Sequence, residues 1–141
     1  VYDLDNNINI INNLLSPSDN QHFDYDKHNR LTQATGHYGQ RNYDYDSVGN
    51  RLFKDDGGER QDYHYAPDSN QLDSIDVSPS GASFQLDYND AGSLVSDPRK
   101  NAAFTYNSPS RMSVAINNQK VGDYWYNAQG ERSIKRGTRK D

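Results

Sequence analysis

Bulky apolar and polar positions alternate along this chain in short bursts that stop at turns and then start again. Six bursts place two large side chains two residues apart: Phe23 and Tyr25, Tyr43 and Tyr45, Tyr63 and Tyr65, Leu86 and Tyr88, Phe104 and Tyr106, Tyr124 and Tyr126. Asp24, Asp44, His64, Asp87 and Thr105 separate them, with Trp125 as the exception. Residues i and i+2 share one face of a strand, so each burst predicts a strand with one half-buried, mostly aromatic face. A run of Asp, Asn, Pro, Ser and Gly follows, and then a second short strand begins at Ile8, Leu31, Leu52, Leu72, Val95 or Met112. Gly49, Gly92 and Gly130 stand where a left-handed residue would close a hairpin, and Asn6 and Asn29 fill that slot in two other units. A further polar turn, at 36–39, 55–58, 78–81 or 117–120, leads back to the next burst. No window carries apolar residues at helical spacing over three turns, so essentially no helix is expected.

The bursts are copies of one phrase. Tyr2, Tyr25, Tyr45, Tyr65, Tyr88, Tyr106 and Tyr126 each open it, at separations of 23, 20, 20, 23, 18 and 20 residues. A period near twenty residues is the mark of a repeat architecture in which each unit buries its face against its neighbours. The predicted fold is all-β: about seven antiparallel β-hairpin repeats, or roughly fourteen short strands, in an open strip. The strip is expected over residues 1–134, with the seven tyrosines as its structural anchors. Residues 135–141 read as a basic, frayed tail.

One phrase is intact from Tyr45 to Leu52: Tyr-Asp-Ser-Val-Gly-Asn-Arg-Leu. It resembles the YD repeat of the RHS proteins, and the resemblance extends over seven phrases from Tyr2 to Ile134. It implies a β-sheet strip that curves into a hollow shell; bacterial members use such a shell to enclose a C-terminal toxic domain, and toxin-complex components and teneurins share the architecture. The partners it implies are the remaining shell repeats and the enclosed toxin domain. The family's core ends in an Asp-Pro-x-Gly motif near which the toxin is cut free. The only Asp-Pro here, Asp97-Pro98, is followed by Arg99-Lys100-Asn101 and reads as a turn. With no initiator Met, no plug-like segment before Val1 and no toxin-like domain after Asp141, the chain is expected to be a piece or a remnant of such a shell.

Composition narrows the choice of function. Hydrophobic residues make up 32% and the mean hydropathy is −1.15, values typical of disorder, but eleven tyrosines in register argue for a thin, wet, aromatic sheet. The formal charge of −5 argues against nucleic acid as a partner. No stretch approaches 18 apolar residues, so no membrane span is expected, and no signal peptide is visible in this segment. The chain has no cysteine. His22, His28, His37 and His64 lack the spaced partners of a zinc site, and Asp3-Leu4-Asp5-Asn6-Asn7 opens like a calcium loop but meets Ile8 and Leu14 where that loop needs glycine and glutamate. The paired acids recur only because the repeat recurs. No catalytic residue, metal ligand or cofactor is assigned, and the chain is read as a non-enzyme.

Two functions remain. The first is structural, a stretch of shell wall in a secreted or cell-surface bacterial protein. The second is recognition, in which exposed tyrosines bind cell-surface carbohydrate by stacking; Tyr38 and Trp125, the aromatics outside the repeat register, are its candidate contacts. An open strip also leaves two long edges with unpaired backbone groups, which favour association.

Overall fold

The computed structural model describes residues 1–139, and it is all-β, apart from two single 3-10 turns at Pro17–Asp19 and Pro98–Lys100. Fourteen antiparallel strands add in sequence order to two open sheets. The eight-stranded sheet holds β1 (Ile10–Ile11), β2 (Gln21–Tyr25), β3 (Leu31–Gly36), β4 (Gly39–Tyr45), β5 (Arg51–Asp55), β6 (Arg60–Tyr65), β7 (Leu72–Ser78) and β8 (Ala82–Gln85). The six-stranded sheet holds β9 (Asp87–Tyr88), β10 (Leu94–Asp97), β11 (Ala102–Tyr106), β12 (Met112–Asn117), β13 (Lys120–Tyr126) and β14 (Arg132–Arg139). The second strands of two units begin at Arg51 and Leu94, one residue before the expected Leu52 and Val95.

The aromatic strands pair with the strand before them through their first residues only, and with the strand after them through their last ones. In β4, Gly39 to Asn42 pair with β3, while Asn42 to Tyr45 pair with β5. The fifth repeat follows the same logic with a break. Its aromatic strand is interrupted at Leu86, which is buried and donates its N–H to the Asp73 carbonyl, so β8 stays with the first sheet and β9 starts the second. One strip in sequence is thus two sheets in structure.

The chain forms two compact units. The first comprises residues 1–64 and 75–83, and the second 65–74 and everything from 84 onward. In the first, Ala34, Ile75 and Val77 are buried, and Ile75 is wholly inaccessible. Ile75 and Val77 alternate with exposed Asp76 and Ser78 on β7, the period-2 pattern of a strand with one covered face. In the second unit Leu86, Ala102 and Asp97 are buried. The Asp97 carboxylate accepts from Arg99 Nε at 3.2 Å and Arg99 Nη2 at 3.1 Å, within a turn closed by Asn101 in the left-handed region (φ 46°).

The basic C-terminal stretch departs from expectation. Lys135 to Arg139 are not a frayed tail but the body of β14, paired with β13 from Tyr124↔Lys135 to Lys120↔Arg139. The turn after Tyr126 closes a seventh hairpin, and a charge-rich strand is the usual occupant of a sheet edge. Lys140 and Asp141 lie outside the described residues.

Candidate functional site

The repeated phrase builds one small device, seen most fully after Tyr45. Asp46 Oδ1 accepts from the backbone N–H of Val48 (3.0 Å) and of Asn50 (2.8 Å), and Asp46 Oδ2 accepts from the Asn50 side chain (2.9 Å). The Asp46 N–H donates to the Asn50 carbonyl and the Gly49 N–H to the Asp46 carbonyl. The residue after the tyrosine therefore organises the whole turn from one side chain, as short polar side chains do in Asx turns. Asp3, Asp26 and Asn89 make the same bonds, and Asn107 and Asn127 make the longer-range one of the pair. The fourth residue after the tyrosine reverses the chain with positive φ: Asn6 64°, Asn29 59°, Gly49 99°, Gly92 75°, Ser110 62° and Gly130 86°. At Gly130 an added Cβ would also collide with the Arg111 guanidinium. The fourth repeat differs because Ala66 offers no side-chain acceptor. Its turn is one residue longer, closing from the Ala66 N–H to the Gln71 carbonyl, and the left-handed residue moves to Asp68 (φ 53°).

The tyrosines join one repeat to the one before. Tyr25 donates its hydroxyl to the Ile8 carbonyl (2.9 Å) and Tyr45 to Leu31 (3.1 Å). In the second half Tyr88 donates to Leu72 (2.7 Å), Tyr106 to Leu94 (2.8 Å) and Tyr126 to Met112 (2.8 Å). Leu31, Leu72, Leu94 and Met112 are each the first residue of the preceding repeat's second strand, and Ile8 lies two residues before β1. The reason lies in the ladders. Pairing between β3 and β4 stops at Gln33↔Asn42, and pairing between β12 and β13 stops at Val114↔Asp123. Two residues further on, Leu31 and Met112 lie beyond those ladders, and the phenol of the following repeat donates to their carbonyls there. A half-buried carbonyl without a donor is costly. Tyr65 occupies the equivalent position at the end of β6 and is half-buried, whereas Tyr2 pairs only in an isolated bridge with Ile8 and is largely exposed. Tyr88→Phe is expected to cost ~1 kcal/mol in urea unfolding, since the Leu72 carbonyl keeps its position and loses its donor.

Arginines five or six residues after the repeat tyrosine stack on the tyrosine rings, a feature the sequence reading missed. Arg30 holds Asp26 in its own turn (Nη2 to Oδ2, 2.7 Å), donates to the Asp46 carbonyl of the next turn (2.7 Å) and lies 4.8 Å over the Tyr45 ring. Arg51 lies over Tyr43 and Tyr63, Arg111 over Tyr126, and Arg132 over Tyr124. Stacked guanidinium groups keep tyrosine rings oriented while leaving the phenol free to donate.

The turn carboxylates are held in their charged form. For Asp26, partial burial pushes the pKa upward, but the Arg30 N–H, the Arg30 guanidinium and the His28 N–H outweigh it and bring it down to about 2. Asp46 behaves alike: burial opposes, while the Asn50 side chain and the backbone of Asn50, Val48 and Gly49 lower it. Asp3 is lowered chiefly by the Asn7 side chain. Carboxylates held below their unfolded pKa stabilise the fold at pH values above the unfolded pKa, and that contribution disappears as pH falls through the folded value. The turn at Asp26 is therefore expected to loosen between about pH 4 and pH 2, and those at Asp3 and Asp46 as pH falls below about 4. The later turns use Asn89, Asn107 and Asn127, which do not titrate. In amide NMR spectra recorded across that range, His28, Arg30, Val48 and Asn50 should change and lose protection, while Ala91 and Ser93 should not. Equal loss in both groups would refute a turn-level cause.

The two candidate carbohydrate contacts fall in different compact units, Tyr38 in the first and Trp125 in the second. Tyr38 sits in the turn between β3 and β4, 38% exposed, with the Arg41 guanidinium 4.5 Å from its ring centre. Trp125 faces away from Tyr124 and Tyr126 on β13, 44% exposed, with Arg136 5.7 Å from its ring. Each ring thus has an arginine on one face.

No family model matches this chain, and no curated protein matches it. Solved structures do share its fold. A chain in the crystal structure of TcdB2-TccC3-TEV aligns over 85% of this chain with a TM-score of 0.54 and 16% identity. A chain in that of TcdB2-TccC3-Cdc42 aligns over 85% with a TM-score of 0.51 and 13% identity. This chain spans only 8% and 9% of those two chains, and at such identity the likeness is one of fold. An all-β, sequence-ordered meander of hairpins like this one therefore occurs as a short stretch of far longer chains.

Proposed function

We propose that this chain is a stretch of wall in an RHS-type shell: a structural β-repeat segment that helps to enclose and deliver a C-terminal toxin domain and carries no chemistry of its own. Its partners on this reading are the neighbouring shell repeats and the enclosed domain, in an exported bacterial protein. The observation that carries it is the way the sheets are built. Strands add strictly in chain order within each sheet, the hydroxyls of five of the seven repeat tyrosines bond the repeat before, and β14 ends its sheet as an edge strand to which a further repeat can add. The seven Tyr-led phrases and the fold likeness to TcdB2-TccC3 chains support the same reading.

Sequencing the gene on both sides of this segment tests it. Further Tyr-led repeats, then an Asp-Pro-x-Gly core end and a separate C-terminal domain, are the expected result. A start codon just before Val1 and a stop codon just after Asp141 would overturn the shell reading and transfer the weight to surface carbohydrate recognition.

A further inference from the structure

The second compact unit has a concave trough of about 500 Å³ on one face of its sheet, and the cause is a row of small side chains. Phe104 on β11, Ala115 on β12, Gly122 on β13 and Gly137 on β14 stand directly opposite one another across four strands. Past Phe104 the row carries at most a methyl group, so the floor lies at the level of the backbone. Tyr124 bounds it: its hydroxyl leans over Gly122, where a Cβ would lie 2.9 Å away. Lys100, Lys120 and Lys135 line the same trough, and none of its lining residues is acidic.

The charge around it is opposite to that of the chain. The trough's charged lining residues are all lysines, although the chain as a whole has a formal charge of −5; Lys100 stands 3.8 Å from the buried Asp97, so Lys120 and Lys135 are the cations that face a ligand. We infer that this trough binds an extended acidic peptide segment, one with an apolar side chain flanked by carboxylates. In an extended chain successive side chains point to opposite faces. An apolar residue then rests over Gly137, beside the Tyr124 ring that covers Gly122, while its acidic neighbours rise to the lysine rim. Lysine ammoniums on flexible stems take single carboxylates without the planar two-point geometry that favours arginine for phosphate. A saccharide fits less well, because its hydroxyls would lie unpaired against that floor. The inference does not depend on whether the strip belongs to a shell.

Gly137 makes the test clean. A Cβ there meets nothing within 4 Å, so a larger side chain fills the trough without disturbing the strand. The probe is a fluorescein-labelled, capped hexapeptide of alternating glutamate and leucine, titrated with the whole chain and followed by fluorescence anisotropy. Gly137→Leu is expected to weaken binding about tenfold or more, and Lys120→Gln with Lys135→Gln by a similar factor. Replacing the peptide glutamates by glutamine should have the same effect as the lysine changes, and raising salt from 50 to 500 mM should weaken binding. Amide shifts at Ala115, Gly122 and Gly137 should mark the site. Binding that survives Gly137→Leu in a protein with unchanged circular dichroism overturns the inference, as does equal binding of the glutamine peptide. Tighter Gly137-dependent binding of trigalacturonate or of an oligonucleotide would also overturn it, as would a Gly137-dependent self-association in sedimentation.

Discussion

Ile75→Ala is expected to lower the unfolding free energy by about 3–4 kcal/mol, measured as a fall in the urea midpoint at unchanged slope. Ile75 is the largest side chain with no exposed surface among the described residues. In a thin repeat sheet, where most aromatics are half-exposed, one fully enclosed side chain carries an unusual share of the apolar burial. Truncation removes three carbons and leaves a cavity that flat, hydrogen-bonded strands on either side cannot easily close. Val77→Ala, two residues along the same face and 8% exposed, should cost less, since fewer carbons are removed. Equal effects at the two positions would mean that Ile75 is not the centre of its core.

Arg99→Met is expected to cost about 3 kcal/mol, because it strands a buried carboxylate. Asp97 is 3% exposed, and both its oxygens take bonds from Arg99. Lys100 is the other cation near it, 3.8 Å away and with a side chain 66% exposed, too loosely held and too well solvated to replace the guanidinium. Asp97→Asn in the Arg99→Met background should recover most of the loss, since the amide is neutral and tolerates the site better. Thermal denaturation of the single and double variants measures the coupling between them. If Arg99→Met alone is silent, water reaches Asp97 and the pair is an ordinary surface contact.

Much of the repeat device was legible because it is local. In four repeats the Asp or Asn after the tyrosine bonds N–H groups two and four residues ahead, in two more it bonds the one four ahead, and in all six the chain reverses at the fourth residue; both depend only on that short stretch of sequence. Glycine at 49, 92 and 130 and asparagine at 6 and 29 therefore marked left-handed positions directly. Ser110 was harder to see, because serine has no general preference for positive φ, and Asp68 was hidden by the extra residue in its turn. The basic tail was misjudged for a related reason. Charge content signals solvation, but it does not tell a frayed end from an edge strand whose ladder to β13 supplies the order.

What the sequence by itself determined is the period, the all-β hairpin architecture, the turn chemistry and the aromatic face of each strand, since all are set within about eight residues by strand alternation and backbone preference. Tertiary structure alone decided the rest. The tyrosine hydroxyls find carbonyls 12 to 17 residues back, and which carbonyl is open depends on where a ladder ends. The break at Leu86, the enclosure of Ile75 and the pairing of Asp97 with Arg99 inside unit two give no sign in a phrase that otherwise resembles its copies. The trough is the clearest case: Phe104 and Gly137 are remote in sequence and share one row only because three hairpin registers align them. Register is a property of pairs of strands, and a single strand's side chains do not contain it.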